Sequence, residues 1–129
     1  MNEEEITRML RSLLEREGAA WTADGGDTRF RLRHDGMVWE TLCRPRDGLL
    51  MVYGRFPFRC ADVDRARRVC DEANATLVRG ALYVLADGSP VYRCTAELDD
   101  VYGAEERLTA ALQYSAQTVT HFWGRLSGL

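Results

Sequence analysis

The sequence predicts an α+β domain in the order helix, three strands, helix, two strands, helix. The strands form a twisted, mainly antiparallel sheet flanked by the helices. Three observations predict it. Two Asp-Gly pairs, Asp35-Gly36 and Asp87-Gly88, each sit between strand-like runs, and Asp-Gly accepts the positive φ angles that a tight hairpin needs. Three other stretches repeat apolar residues at helical spacing instead. At 129 residues, with no internal repeat or low-complexity stretch, the chain has the size of a single domain covering 1–129.

The first helix follows Asn2, which caps it, with Glu5 three residues on completing a capping-box pair. Glu3, Glu4 and Glu5 occupy the first turn, where the helix dipole favours negative charge. Ile6, Met9, Leu10, Leu13 and Leu14 make one apolar stripe, and Gly18 suits the position just past the end. Trp21 follows in a linker that closes with a flexible turn, Asp24-Gly25-Gly26-Asp27. Thr28–His34 and Met37–Arg44 then form a hairpin about Asp35-Gly36, which pairs Leu32 with Trp39, Phe30 with Thr41 and Arg31 with Glu40. One face carries Phe30, Leu32, His34, Met37, Trp39, Thr41 and Cys43 and is the core face. The other carries Arg29, Arg31, Arg33, Val38, Glu40, Leu42 and Arg44. An Arg31–Glu40 charge pair there is worth about 0.2–1 kcal/mol.

Pro45-Arg46-Asp47-Gly48 reads as a turn into a third strand, Leu49–Phe56. Its nearly continuous apolar run predicts a central strand covered on both faces, and Pro57 stops it. Asp62 caps a second helix with Val63, Ala66, Val69, Cys70 and Ala73 on one side. Thr76–Ala86 and Val91–Leu98 form the second hairpin, with Gly80 as a bulge. The last helix starts between Asp100 and Ala104 and keeps register through Leu108, Leu112, Val119, Phe122 and Leu126. It is about 35 Å long, and burying those five side chains contributes on the order of 10 kcal/mol gross.

Composition narrows the function classes. A net charge of −3 argues against general nucleic-acid binding, which needs a clustered basic surface. All seventeen basic residues are arginine. A GC-rich genome produces that bias, and so does selection for bidentate contacts; the compositional cause is the simpler. Apolar runs fall far short of the ~20 residues that span a bilayer, and the acidic start differs from a secretory signal, so the expected setting is cytoplasmic with no membrane partner. Cys43, Cys60, Cys70 and Cys94 lack the close spacing of zinc ligands and read as small buried hydrophobes.

No catalytic constellation emerges, and the expectation is a non-enzymatic protein without a cofactor or metal. The only histidines, His34 and His121, have no nucleophile placed beside them by the sequence. The acidic groups Glu3–Glu5, Asp99-Asp100 and Glu105-Glu106 all fall in first turns of helices, where capping explains them. The Arg29, Arg31 and Arg33 row with Val38 and Leu42 is the most distinctive surface. It reads as a solvated sheet face, as a basic strip for RNA phosphates without aromatic stacking partners, or as a partner-binding or dimer surface.

The pattern Phe30-x-Leu32-x-x-Asp35-Gly36-x-x-Trp39, then Leu49-Leu50-x-Val52-Tyr53 and Pro57, resembles the YbjN-like family. The helix through Val69–Asn74, Gly80-Ala81-Leu82, Asp87-Gly88 and the long final helix extend the likeness over nearly the whole chain. The resemblance implies a type III secretion chaperone-like architecture, three helices flanking a five-stranded sheet. It also implies a small acidic protein, often a homodimer, that binds other polypeptides and is grouped with sensory-transduction regulators. The expected function is therefore a protein-binding adaptor or chaperone-like regulator that adds an extended segment of a protein client or a second subunit to exposed sheet surface, with Arg29, Arg31, Arg33, Val38 and Leu42 in contact with it. Its alternatives are a nucleic-acid-associated regulator using the arginine row, and a small-molecule-binding or enzymatic domain around His34, Trp39 and the nearby cysteines.

Overall fold

The computed structural model describes all residues 1–129. The elements are α1 (Glu3–Arg16), β1 (Trp21–Asp24), β2 (Asp27–His34), β3 (Met37–Arg46), β4 (Leu49–Arg55), α2 (Val63–Asn74), β5 (Ala81–Val84), β6 (Pro90–Glu97) and α3 (Ala104–Leu126). The strands form one sheet in the order β1-β2-β3-β4-β6-β5, and every neighbouring pair is antiparallel.

Local chemistry sets most boundaries. The Asn2 side chain accepts from the Glu5 amide at 2.9 Å while Glu5 accepts from the Asn2 amide at 3.2 Å, so the capping box is complete. At the far end of α1 the Ala19 and Gly18 amides bond the Leu14 and Glu15 carbonyls, closing the last turn. Asp62 caps α2 through the Arg65 amide. Asp35 and Gly36 both adopt positive φ, 49° and 77°. That gives the two-residue hairpin its twist and the register Leu32↔Trp39, Phe30↔Thr41 and Arg31↔Glu40.

Four sequence expectations are corrected. Trp21–Asp24 is a strand, β1, on the edge beside β2, with Trp21 opposite Phe30, so the sheet has six strands rather than five. Its four residues are too short and too polar to carry a strand pattern, and its backbone is held by pairing. Pro45 and Arg46 belong to β3. The paired part of β2 ends opposite Cys43, so the amide that proline lacks has no ladder partner on that side. The second hairpin is shorter than its apolar run. Residues 76–80 lie outside the sheet, and Gly80 brings the chain into β5 instead of bulging within it. Lastly, β4 is central but covered on one face. Leu50, Val52 and Gly54 are buried, whereas Leu49, Met51 and Tyr53 are half-buried.

The helices bury a single sheet face. Phe30, Trp39, Cys43, Leu50, Val52, Tyr92, Cys94 and Ala96 meet Ile6, Leu10 and Leu14 of α1 and Leu108, Ala111, Val119 and Phe122 of α3 in one core. The core face of the first hairpin is thus the one its alternation predicts. Trp39 lies at its centre, 6.4 Å from the Trp123 ring in an edge-on arrangement. Beside α3, α2 contributes Ala66, Cys70 and Ala73 to the same core and lies against β5. Its Asn74 amide grips that edge strand, donating to the Leu82 carbonyl at 2.9 Å and accepting from the Leu82 amide at 2.8 Å.

Candidate partner-binding face

The opposite face of the sheet has no helix over it. Its apolar side chains Val38, Leu42, Met51, Tyr53, Tyr83 and Val91 take no part in the core. All but Val91 keep intermediate exposure. The strand registers place them in rows. One row runs Thr22, Arg29, Leu42, Tyr53, Arg93, Ala81 across all six strands, and the next runs Arg31, Glu40, Arg55, Val91, Tyr83. A Leu–Tyr centre therefore has an arginine on either side.

All five sequence-named residues, Arg29, Arg31, Arg33, Val38 and Leu42, lie on this face. The structure adds Met51, Tyr53, Arg55, Tyr83, Val91 and Arg93, which only the β3–β4–β6–β5 pairing brings alongside. Tyr53 and Tyr83 overturn the expectation of a face without aromatic side chains. No residue of the first hairpin signalled them, because they sit on strands whose neighbours the sequence did not assign.

Charge on the face is uneven. Arg29 pairs with Asp24 at 3.0 Å. Arg44 makes a forked contact with Asp27, 2.9 Å at the shortest, which holds its guanidinium still more firmly protonated. Arg44 also leans over the Tyr53 ring at 5.9 Å. Arg55 turns to the rim, bonding Asp87 and Ser89 at 3.0 Å each. Arg31 and Glu40 stand opposite each other in the ladder, but no N–O approach within 4.0 Å joins them, so the expected ion pair is not made. Arg31, Arg33 and Arg93 have no carboxylate partner. Seven arginines, Arg29, Arg31, Arg33, Arg44, Arg46, Arg55 and Arg93, against Asp24, Asp27, Glu40 and Glu97 leave the face positive on a chain whose net charge is −3.

Elsewhere the geometry is less suggestive of chemistry. All four cysteines are buried and free. Desolvation pushes the Cys70 and Cys94 thiols up to about 11 and Cys43 higher still, which disfavours the reactive thiolate. Trp39 is buried within the core, and His34 lies at the end of β2 with Nε2 3.6 Å from Asp35; His121 is exposed and packs edge-on against Phe122 at 4.8 Å. No group of three or more His, Cys, Asp or Glu side chains is placed to hold a metal ion. An open cleft of 790 Å³ separates α1 from the β1–β2 turn. Its Arg11 is already committed, stacking 4.4 Å over Trp21 and donating to Thr28 Oγ1 at 3.1 Å and to the Asp27 carbonyl. No helix is long and apolar enough to cross a membrane.

No protein-family model matches this chain, and no curated protein sequence matches it.

Proposed function

We propose that this protein is a non-enzymatic protein-binding adaptor or chaperone-like regulator that works through the uncovered face of its sheet; the YbjN-like resemblance implies the binding of polypeptides, and the face is read from the fold. The observation that carries the reading is that all three helices serve one face, while the other keeps a half-exposed apolar centre ringed by arginines. Such a face is costly to leave in water. A partner that covers it gains apolar burial at the centre and charge-assisted contacts at the rim.

The test is site-specific photo-crosslinking in cells, with a benzophenone side chain at position 42 and a control at exposed Glu4 on α1. The reading expects protein adducts of defined mass from position 42, absent from position 4 and lost on Arg31→Glu with Arg33→Glu. Equal adducts from both positions, or none from 42, would overturn it.

A second reading has one observation in its favour. Tyr53 and Tyr83 share the face with the arginines, and aromatic rings among cations suit single-stranded nucleic acid. Four carboxylates on the same surface and Arg44 over the Tyr53 ring weigh against it. Retention of the protein on single-stranded RNA or DNA at low salt, released by added salt, would favour that second reading.

A further inference from the structure

We infer that the occupant of the open face is an acidic amphipathic helix of a partner protein, an inference that rests on the protein-binding reading above and gives its partner a chemistry. The strand backbones under this face are already paired within the sheet, so the face offers side chains and no free ladder. An occupant lying on it must bring its own backbone hydrogen bonds satisfied, which a helix does and an extended segment does not. Extended clients need a sheet edge, and the edges are poor. Strand β5 is four residues long with its Leu82 amide and carbonyl both taken by Asn74. At the other edge, β1 is also four residues long.

The shape of the apolar centre agrees. Leu49, Met51 and Tyr53 point outward from β4 and span about 14 Å at strand rise, which is the length of about nine helical residues. Leu42 widens this stripe beside Tyr53. Arg44 and Arg46 of β3 stand beside Met51 and Leu49 on one side of it, and Arg93 of β6 stands beside Tyr53 on the other, with Glu97 beside Leu49. Arg31 and Arg33 of β2 extend the positive surface past its Tyr53 end, and neither they nor Arg93 have a carboxylate partner. A helix with one apolar seam and glutamates or aspartates on its two shoulders complements that arrangement. A second copy docked face to face does not. A two-fold interface sets the same patch against itself, and both copies would present the same excess of arginine.

The experiment is an NMR titration of the full ¹⁵N-labelled chain with three probes. They are a helical peptide of about 18 residues with leucines at i, i+3/4 and i+7 and glutamates elsewhere, the same peptide with lysines for the glutamates, and oligouridine. The glutamate peptide is expected to shift the amides of Val38, Leu42, Met51 and Tyr53, and to weaken as salt rises. Charge reversal at Arg31, Arg33 and Arg93 is expected to weaken it about tenfold and to strengthen the lysine peptide. These three side chains are exposed and unpaired, so the reversed protein keeps its fold, which its own spectrum checks.

If the lysine peptide binds the unaltered face as well as the glutamate peptide, acidic selection is wrong while protein docking on the face stands. If neither peptide moves those amides, the protein-binding reading falls with it. If only oligouridine moves them, the face belongs to nucleic acid and both are overturned.

Discussion

Replacing Gly80 by alanine tests how tightly the entry to β5 is pressed against β6, and Gly36→Ala supplies the control. Both glycines hold left-handed backbone, φ 70° at Gly80 and 77° at Gly36, so both substitutions carry a conformational cost of about 1–2 kcal/mol. Their surroundings differ. A Cβ at Gly36 meets nothing within 4 Å, whereas at Gly80 it lies 2.2 Å from the Arg93 carbonyl oxygen and 2.8 Å from the Tyr92 hydroxyl. That hydroxyl donates to the Arg79 carbonyl at 2.8 Å, and the obstructing Arg93 oxygen is backbone within β6. Relief therefore requires strand β5 to move away from β6 by about 1 Å, at an overpacking cost of about 1–3 kcal/mol. Gly80→Ala should lose about 2–5 kcal/mol and Gly36→Ala about 1–2 kcal/mol. Against the 5–15 kcal/mol typical of a whole domain, the first loss is large. Urea unfolding followed by tryptophan fluorescence and circular dichroism measures both, and an unchanged m-value shows that the comparison is of stability alone. Equal losses from the two variants would refute the close approach of residue 80 to β6.

Asp87 is held below the usual carboxylate range, first by the Ser89 backbone amide and then by the Ser89 hydroxyl, Arg55 and Arg59. A depressed folded pKa gives stability that is present above the unfolded value near 4 and is lost as pH falls through the folded value. Asp87→Asn should therefore unfold with less acid dependence below about pH 4, measured by stability at stepped pH; an unchanged acid limb counts against the Asp87 contacts. Asn74→Ala removes both side-chain bonds to Leu82 and should cost about 1–3 kcal/mol. By contrast, Ser115→Ala removes a buried hydroxyl that has no protein partner and should be close to neutral, a contrast that denaturant titration reads directly. The four thiols should resist alkylation in the native protein and all react in denaturant; rapid native labelling of Cys43 would contradict its burial. On the open face, Leu42→Asp should change stability little while removing any partner contact, whereas Leu50→Ala on the same sheet's core side should cost about 2–5 kcal/mol.

Local side-chain chemistry made the local decisions. Asn2 with Glu5 started α1, Asp62 started α2, and Asp35-Gly36 fixed a register in which one slip would turn Trp39 outward. The first hairpin's alternation also separated the buried Phe30 and Trp39 from the exposed arginine row, since period-two patterning reports which face meets the core. Tertiary structure decided what depends on neighbours distant in the chain. Edge strand β1 exists because β2 lies beside it; its own four residues carry no strand signal. The β3–β4 pairing set Tyr53 beside Leu42, and the sheet order that placed β6 between β4 and β5 set Arg93 beside Tyr53. The apolar run of β4 was equally compatible with one cover or two, because half-burial against flanking side chains and full burial beneath a helix favour the same residue types. Only the packing of all three helices on one side left the other face of β4 open, and with it the surface on which the functional proposal stands.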